Sequence, residues 1–209
     1  DYAVTEFATK AEKQKALLEE KSRGTITVVS GLPRSGTSMM MQMLYNGGMD
    51  AYTDGEREAD SNNPKGYFEH ENVKGLIRNK KWLSEVEDRS VKIIAQLLLH
   101  LPPRYNYKVV FMLRNLQDVV ISQNKMLVKL GKSKEGVYPL GLEEQFRKTL
   151  EKVKNWCESN YNVDIHFVEY DEAVEQPEKV AKEVNEFLGG KLDVSKMAGS
   201  VDSTLHHNK

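Results

Sequence analysis

Cysteine is almost absent: Cys157 is the single one in 209 residues, so no disulfide can close within the chain. It lies in a charged, helix-like stretch, TLEKVKNWCESN, with no partner at metal-ligand spacing, and a half-buried helix residue is expected. Long apolar runs are also missing. No stretch approaches the roughly 20 residues that cross a bilayer, and the opening DYAVTEFATKAEKQ lacks the basic-then-apolar order of a leader. A soluble protein of a reducing compartment, the cytoplasm, is the expectation. Nor does either charge dominate: 30 Lys and Arg stand against 31 Asp and Glu, a formal net charge of -1. That balance excludes a global basic field of the kind that binds nucleic acid without sequence preference, so any anion site must be local. There is no internal repeat and no low-complexity segment.

What the chain does have is enough apolar content, 39% over 209 residues, to enclose one core and too little length for two comfortable domains. A single domain over 1–209 is expected. Ala11, Leu17 and Leu18 among many Lys and Glu predict a peripheral helix over 1–23, stopped near Gly24. TITVVS at 25–30 is short, β-branched and bounded by glycines, a buried strand. Helix follows from Ser38 to about Asn46 with four methionines. Residues 50–70, rich in Asp, Asn, Gly and Pro, predict a long irregular connection, read as the acceptor-side loop. A helix over about 73–86 leads to a short strand, SVKII at 90–94. The chain then repeats its opening move: YKVVFML at 107–113 as strand, then 115–130 with Val119, Val120, Met126, Leu127 and Leu130 at helical spacing. A helix at 141–160, a strand at 163–170 and a helix at 178–189, stopped by Gly189-Gly190, complete the regular part, leaving a tail over 199–209. Strands alternating with helices imply an α/β architecture whose parallel sheet is covered on both faces.

Between the first strand and its helix lies GLPRSGTS, Gly31 to Ser38. A turn at that point aims successive backbone N–H groups and a helix N-terminus at one place, which makes an anion cradle. The glycine spacing is that of a Walker A loop, but Thr37 stands where that motif has lysine. The cation comes earlier, at Arg34, whose guanidinium can fork onto phosphate or sulfonate oxygens. The bland alternative is a glycine-rich turn that binds nothing.

GLPRSGTS resembles the 5′-phosphosulfate loop of bacterial-type sulfotransferases dependent on PAPS (3′-phosphoadenosine 5′-phosphosulfate). The resemblance implies a three-layer α/β/α P-loop fold with a central parallel sheet, in which Pro33, Arg34, Ser35, Gly36, Thr37 and Ser38 hold the 5′-phosphosulfate. RNLQDVVIS, Arg114 to Ser122, resembles the family's 3′-phosphate motif; a strand-end arginine and a hydroxyl two turns into the next helix can converge on one phosphate. Alternatives are a surface salt bridge for Arg114 and a self-bonded helix serine for Ser122. NPKGYFE at 63–69 and FVEYDEAVEQPEKVAKEVNEFLG at 167–189 also resemble family segments, and the latter would place Tyr170 near the adenine. The ending SVDSTLHHNK departs from the family tail: two histidines stand where a basic residue often follows the leucine.

By this resemblance the chain would transfer a sulfuryl group from PAPS to a hydroxyl or amine of a small-molecule or glycan acceptor and release PAP, with no metal. A base must take the acceptor proton while charge grows toward the leaving phosphate. Many relatives place a histidine shortly after a Val-Lys pair; Val91-Lys92 match the pair, but Ile93 and Ile94 follow. Other branches use a glutamate after the phosphate-loop helix, and Glu69 is the best-placed candidate, with His70 and Glu56 behind it. Lys92 could approach the sulfonate and Lys65 could neutralise substrate charge, although a salt-bridged strand-end lysine and a solvated loop lysine are the plain alternatives. His100, His166, His206 and His207 have no metal-ligand spacing and read as structural or surface residues. Two rival readings are a P-loop kinase-like phosphotransferase and a non-catalytic PAP-binding protein of the same fold.

Overall fold

The computed structural model describes residues 24–54, 68–134 and 138–201. The expected opening helix, Glu56 and Lys65 in the acceptor-side loop, and His206 and His207 in the tail lie outside the described residues.

Four strands form one sheet: β1 (Thr25–Gly31), β2 (Ser90–Lys92), β3 (Asn106–Leu113) and β4 (Val163–Glu169). Their order is β2-β1-β3-β4, and every neighbouring pair is parallel, with Val28 opposite both Val91 and Val109 and Val109 opposite Ile165. Successive residues of a strand face opposite sides, and both sides here are apolar. Ile26, Val28, Tyr107, Val109 and Phe111 belong to one core with Val119, Phe146 and Val153. Those three come from α4 (Leu116–Lys129) and α5 (Leu142–Ser159). Val29, Val110, Met112 and Val168 belong to a second core with Met40, Met41, Met43 and Leu44 of α1 (Thr37–Asn46). Val180, Ala181 and Val184 of α7 (Pro177–Phe187) and Met197 of α8 (Val194–Gly199) close that side. A parallel sheet between two helical layers results, as the alternation of elements predicted.

Several boundaries differ from expectation. The helix expected over 73–86 is two short pieces, α2 (Glu71–Lys74) and a 3-10 helix, Lys81–Glu85. Asn79 interrupts it: its side chain accepts from the Lys81 N–H at 3.1 Å, and its carbonyl accepts from Trp82 Nε1 at 3.0 Å. Side-chain bonding of this kind competes with helix, and the break lets Trp82 and Leu83 enter the core. A short helix, α3, runs over Ala95–Leu98. The strand expected to reach Tyr170 stops at Glu169, and Tyr170 opens α6 (Tyr170–Glu175). Gly189-Gly190 end α7 but not the regular structure. α8 follows, capped by Asp193, whose carboxylate accepts from the Lys196 N–H at 3.0 Å. An Asp three residues before Lys196 was a readable N-cap signal.

The strand order places the crevice. From β1 the chain moves one way to β2, then crosses back over β1 to β3 and on to β4. The order therefore reverses between β1 and β3, where open α/β sheets leave a cleft at the carboxyl ends of the strands. GLPRSGTS leaves β1 at that end, and Arg114 leaves β3 beside it.

Candidate active site

The phosphate-loop turn is held from within. The Ser35 N–H donates to the Leu32 carbonyl at 3.2 Å, and the buried Ser35 hydroxyl donates to the same oxygen at 2.7 Å. Ser35 therefore shapes the loop through its side chain. Pro33 precedes the turn's tightest point, Arg34, whose φ of 66° is rare for a residue with a Cβ. Gly36 follows at φ 98° as the N-cap of α1, with no side-chain cap, and the helix has no acidic residue in its first turn. The first amides of α1, beginning at Thr37, are thus left without the usual internal acceptors and attract an anion.

Gly36 is needed for a second reason. A Cβ there would lie 2.5 Å from Cδ2 of Tyr170, a ring already buried under the loop. We expect Gly36→Ala to destabilise the fold by about 1–3 kcal/mol, the cost of overpacking, read as a lower midpoint in urea unfolding at unchanged slope.

The two expected anion positions meet through side chains. Arg34 Nε donates to Ser122 Oγ at 3.1 Å, and Arg114 Nη1 donates to the Arg34 carbonyl at 3.0 Å. Ser122 is buried on α4. Its bond from Arg34 contrasts with the self-bonded helix serine of the plain alternative. The Arg114 guanidinium lies 4.3 Å from the Tyr170 ring centroid, a cation–π stack that fixes its plane. Burial pushes the Tyr170 phenol above its ordinary value, with Arg114 acting in the opposite direction. Arg114 keeps one polar atom in reserve: Nε is buried with no hydrogen-bond partner among the described residues. Such a donor is costly to leave unmatched. With the uncapped first amides of α1 and the Arg34 side chain on Ser122 beside it, the residues present fit a phosphate.

On the other side of the loop, Lys92 ends β2 only 8% exposed, and its ammonium donates to Ser38 Oγ at 3.3 Å and to Glu69 Oε1 at 3.2 Å. Glu69, about a third exposed, thus faces the phosphate-loop helix through one lysine. His70 is turned to another task. Its Nδ1 accepts from the Asn72 N–H at 3.1 Å as the N-cap of α2, and its ring stacks on Tyr52 at 4.1 Å. After Lys92, Ile93 is buried in the core and Ile94 is exposed, so no imidazole occupies the place after the Val-Lys pair. Sequence reading passed over Tyr52 and Thr53, which carry no motif.

The remaining candidates lie elsewhere. Cys157 is half-buried on α5, and burial pushes its thiol up to about 11. His166 stacks on Phe187 at 5.4 Å, and His100 is exposed. Among the described residues no group of three His, Cys, Asp or Glu could hold a metal ion, and no helix is long and apolar enough to cross a membrane.

No curated protein matches the chain. Among solved structures it is similar to the sulfotransferase domain of the Synechococcus PCC 7002 olefin synthase at 14% identity, over 90% of this chain and 84% of that one, with a TM-score of 0.49. A sulfotransferase from Alicyclobacillus acidocaldarius is similar at 13% identity, over 88% of this chain and 97% of that one, with a TM-score of 0.47. Mouse sulfotransferase SULT7A1 complexed with PAP is similar at 19% identity, over 97% of this chain and 73% of that one, with a TM-score of 0.42. The family model described as the sulfotransferase domain matches residues 25–209. That match runs from the first residue of β1 through the last residue of the chain, which belongs to the sulfotransferase domain family.

Proposed function

We propose that this chain is a PAPS-dependent sulfotransferase acting on a hydroxyl or amine of a small-molecule or glycan acceptor, with PAP as product. The observation that carries the reading is the joined pair of cations in the β1–β3 crevice: Arg34 on Ser122, Arg114 on the Arg34 carbonyl, and a buried Arg114 Nε without a partner. Two arginines in one crevice repel, and a bound anion offsets that repulsion. A 3′,5′-bisphosphate nucleotide brings an anion for each. In this reading residues 33–38 hold the 5′-phosphosulfate, Arg114 and Ser122 hold the 3′-phosphate, and Tyr170 lines the donor site on the adenine side.

The transfer forms a bond from the acceptor oxygen or nitrogen to sulfur and breaks the bond from sulfur to the 5′-phosphate oxygen. Glu69 takes the acceptor proton. Arg34, Lys92 and the first amides of α1 oppose the charge that grows on the leaving phosphate. Lys92 links the two halves, since it touches both the loop hydroxyl Ser38 and the Glu69 carboxylate. A kinase-like reading is disfavoured by Thr37 at the Walker lysine position.

PAP should raise the melting temperature by preferential binding to the folded state, an effect of about 2.7 kcal/mol at a hundred times Kd. ATP with magnesium should do much less. Equal stabilisation by both in a thermal-shift titration would count against the sulfotransferase reading. Binding of PAP without any turnover of PAPS, over a broad acceptor screen, would favour a non-catalytic PAP-binding protein.

A further inference from the structure

We propose that Tyr52 and Thr53 are positioning residues for Glu69: the segment 50–54 is a splint that ties the strand carrying Lys92 to the segment carrying Glu69. The geometric claim stands on its own contacts, while its consequence for turnover rests on the sulfuryl transfer proposed above.

One edge of the splint is fastened to β2. The Tyr52 N–H donates to the Ser90 carbonyl at 2.8 Å, and the Ser90 N–H donates to the Asp50 carbonyl at 2.8 Å. Ala51 pairs with Ser90 as a parallel bridge, two residues before Lys92. Arg89 adds a hydrogen bond to the Ala51 carbonyl at 2.9 Å and an ion pair with Asp50 at 3.1 Å. The other edge grips Glu69 and the three residues after it. The Glu69 carbonyl accepts from Thr53 Oγ1 at 2.9 Å and from the Asp54 N–H at 3.3 Å. The Asp54 carboxylate accepts from the Glu71 N–H at 2.6 Å. The Tyr52 ring lies between His70, at 4.1 Å, and Trp82, at 5.4 Å, both near-parallel, and its hydroxyl accepts from Asn72 Nδ2 at 2.9 Å.

The residue before Glu69 is held as tightly. Phe68 has a φ of 51°, in the left-handed region that a phenylalanine seldom enters, and it packs against Tyr45 and the second core. Such a conformation persists only where its surroundings over-determine it. Glu69 therefore has a fixed main chain on both sides, and its carboxylate stays partly open while it meets Lys92. A carboxylate that must reach an incoming acceptor benefits from that restraint, because misplacement by about 1 Å can cost a hundredfold in rate.

The test uses the whole chain and needs no acceptor for its first arm. Acetic anhydride labelling of Lys92, read by mass spectrometry, should speed up in Thr53→Val and in Tyr52→Leu by roughly fivefold, the factor for loss of about one neutral hydrogen bond from the closed form. Thr53→Ser, which keeps the hydroxyl, should restore the slow rate. Lys108, whose ammonium is held by the Phe187 carbonyl, should label as in wild type, and PAP affinity by calorimetry should not change. In the second arm, PAPS turnover with an acceptor found by screening should fall in Thr53→Val with KM for PAPS unchanged. Wild-type Lys92 labelling in both variants, or a parallel rise at Lys108 in Thr53→Val, overturns the proposal. Raised Lys92 labelling in Thr53→Val together with full turnover in Glu69→Gln would remove the base assignment and leave the splint in place.

Discussion

Glu69→Gln should lower single-turnover sulfuryl transfer by roughly a hundredfold to ten-thousandfold, the share general-base catalysis commonly supplies, with PAP affinity close to wild type. Glutamine keeps the shape and an oxygen that can still accept from Lys92, but it cannot take up a full proton at neutral pH. The donor contacts proposed for Arg34, Arg114 and Ser122 lie on the opposite side of the loop from the Glu69–Lys92 pair. The substitution also has a structural cost: Lys92 is only 8% exposed, and a buried ammonium that loses its carboxylate is destabilised. A lower melting temperature with full turnover would therefore mark Glu69 as a structural counter-ion and pass the base role to His70 or Glu56. His70→Asn should leave turnover near wild type, because asparagine also caps a helix N-terminus and the His70 Nδ1 already serves that cap. Saturating acceptor and single-turnover conditions keep a weakly bound surrogate from masking the chemical step.

Arg114→Ala should weaken PAP binding by about 1.5–3 kcal/mol, the range for hydrogen bonds to a charged partner. From the sequence, adenosine 5′-phosphosulfate, which has no 3′-phosphate, should barely notice the change. The structure modifies that expectation: Arg114 Nη1 also holds the Arg34 carbonyl, and Arg34 sits at a positive φ that needs support. The 5′ ligand should therefore lose some affinity too, by about 0.5–1.5 kcal/mol, the range for one ordinary hydrogen bond. Calorimetry on both ligands decides the point. Equal losses would mean that Arg114 acts through the loop alone and contacts no 3′-phosphate.

Much of this architecture was legible because it depends on short windows of chain. TITVVS is short and β-branched and YKVVFML is strongly apolar, as strands buried on both faces tend to be, and they became β1 and β3. The place of GLPRSGTS between strand and helix, and of Arg114 at a strand end two turns before Ser122, followed from local order alone. Local signals misled where side chains acted on the backbone: Asn79 broke the helix expected over 73–86, and Asp193 started one after the glycines.

The sequence by itself determined the element types, the alternation that makes a parallel sheet, and the family resemblance carried by two short motifs. Only the tertiary structure decided which side chains meet. Arg34 reaches Ser122 across 88 positions, Lys92 reaches Ser38 across 54 and Glu69 across 23, and Thr53 reaches the Glu69 carbonyl across 16. None of these distances is set by the period of a helix or strand. They follow from the order β2-β1-β3-β4, which brings β1 beside both β2 and β3 and gathers the carboxyl ends of all three at one edge. That order arises because both faces of the sheet as a whole must be covered at once, a condition of the whole chain that no local window contains.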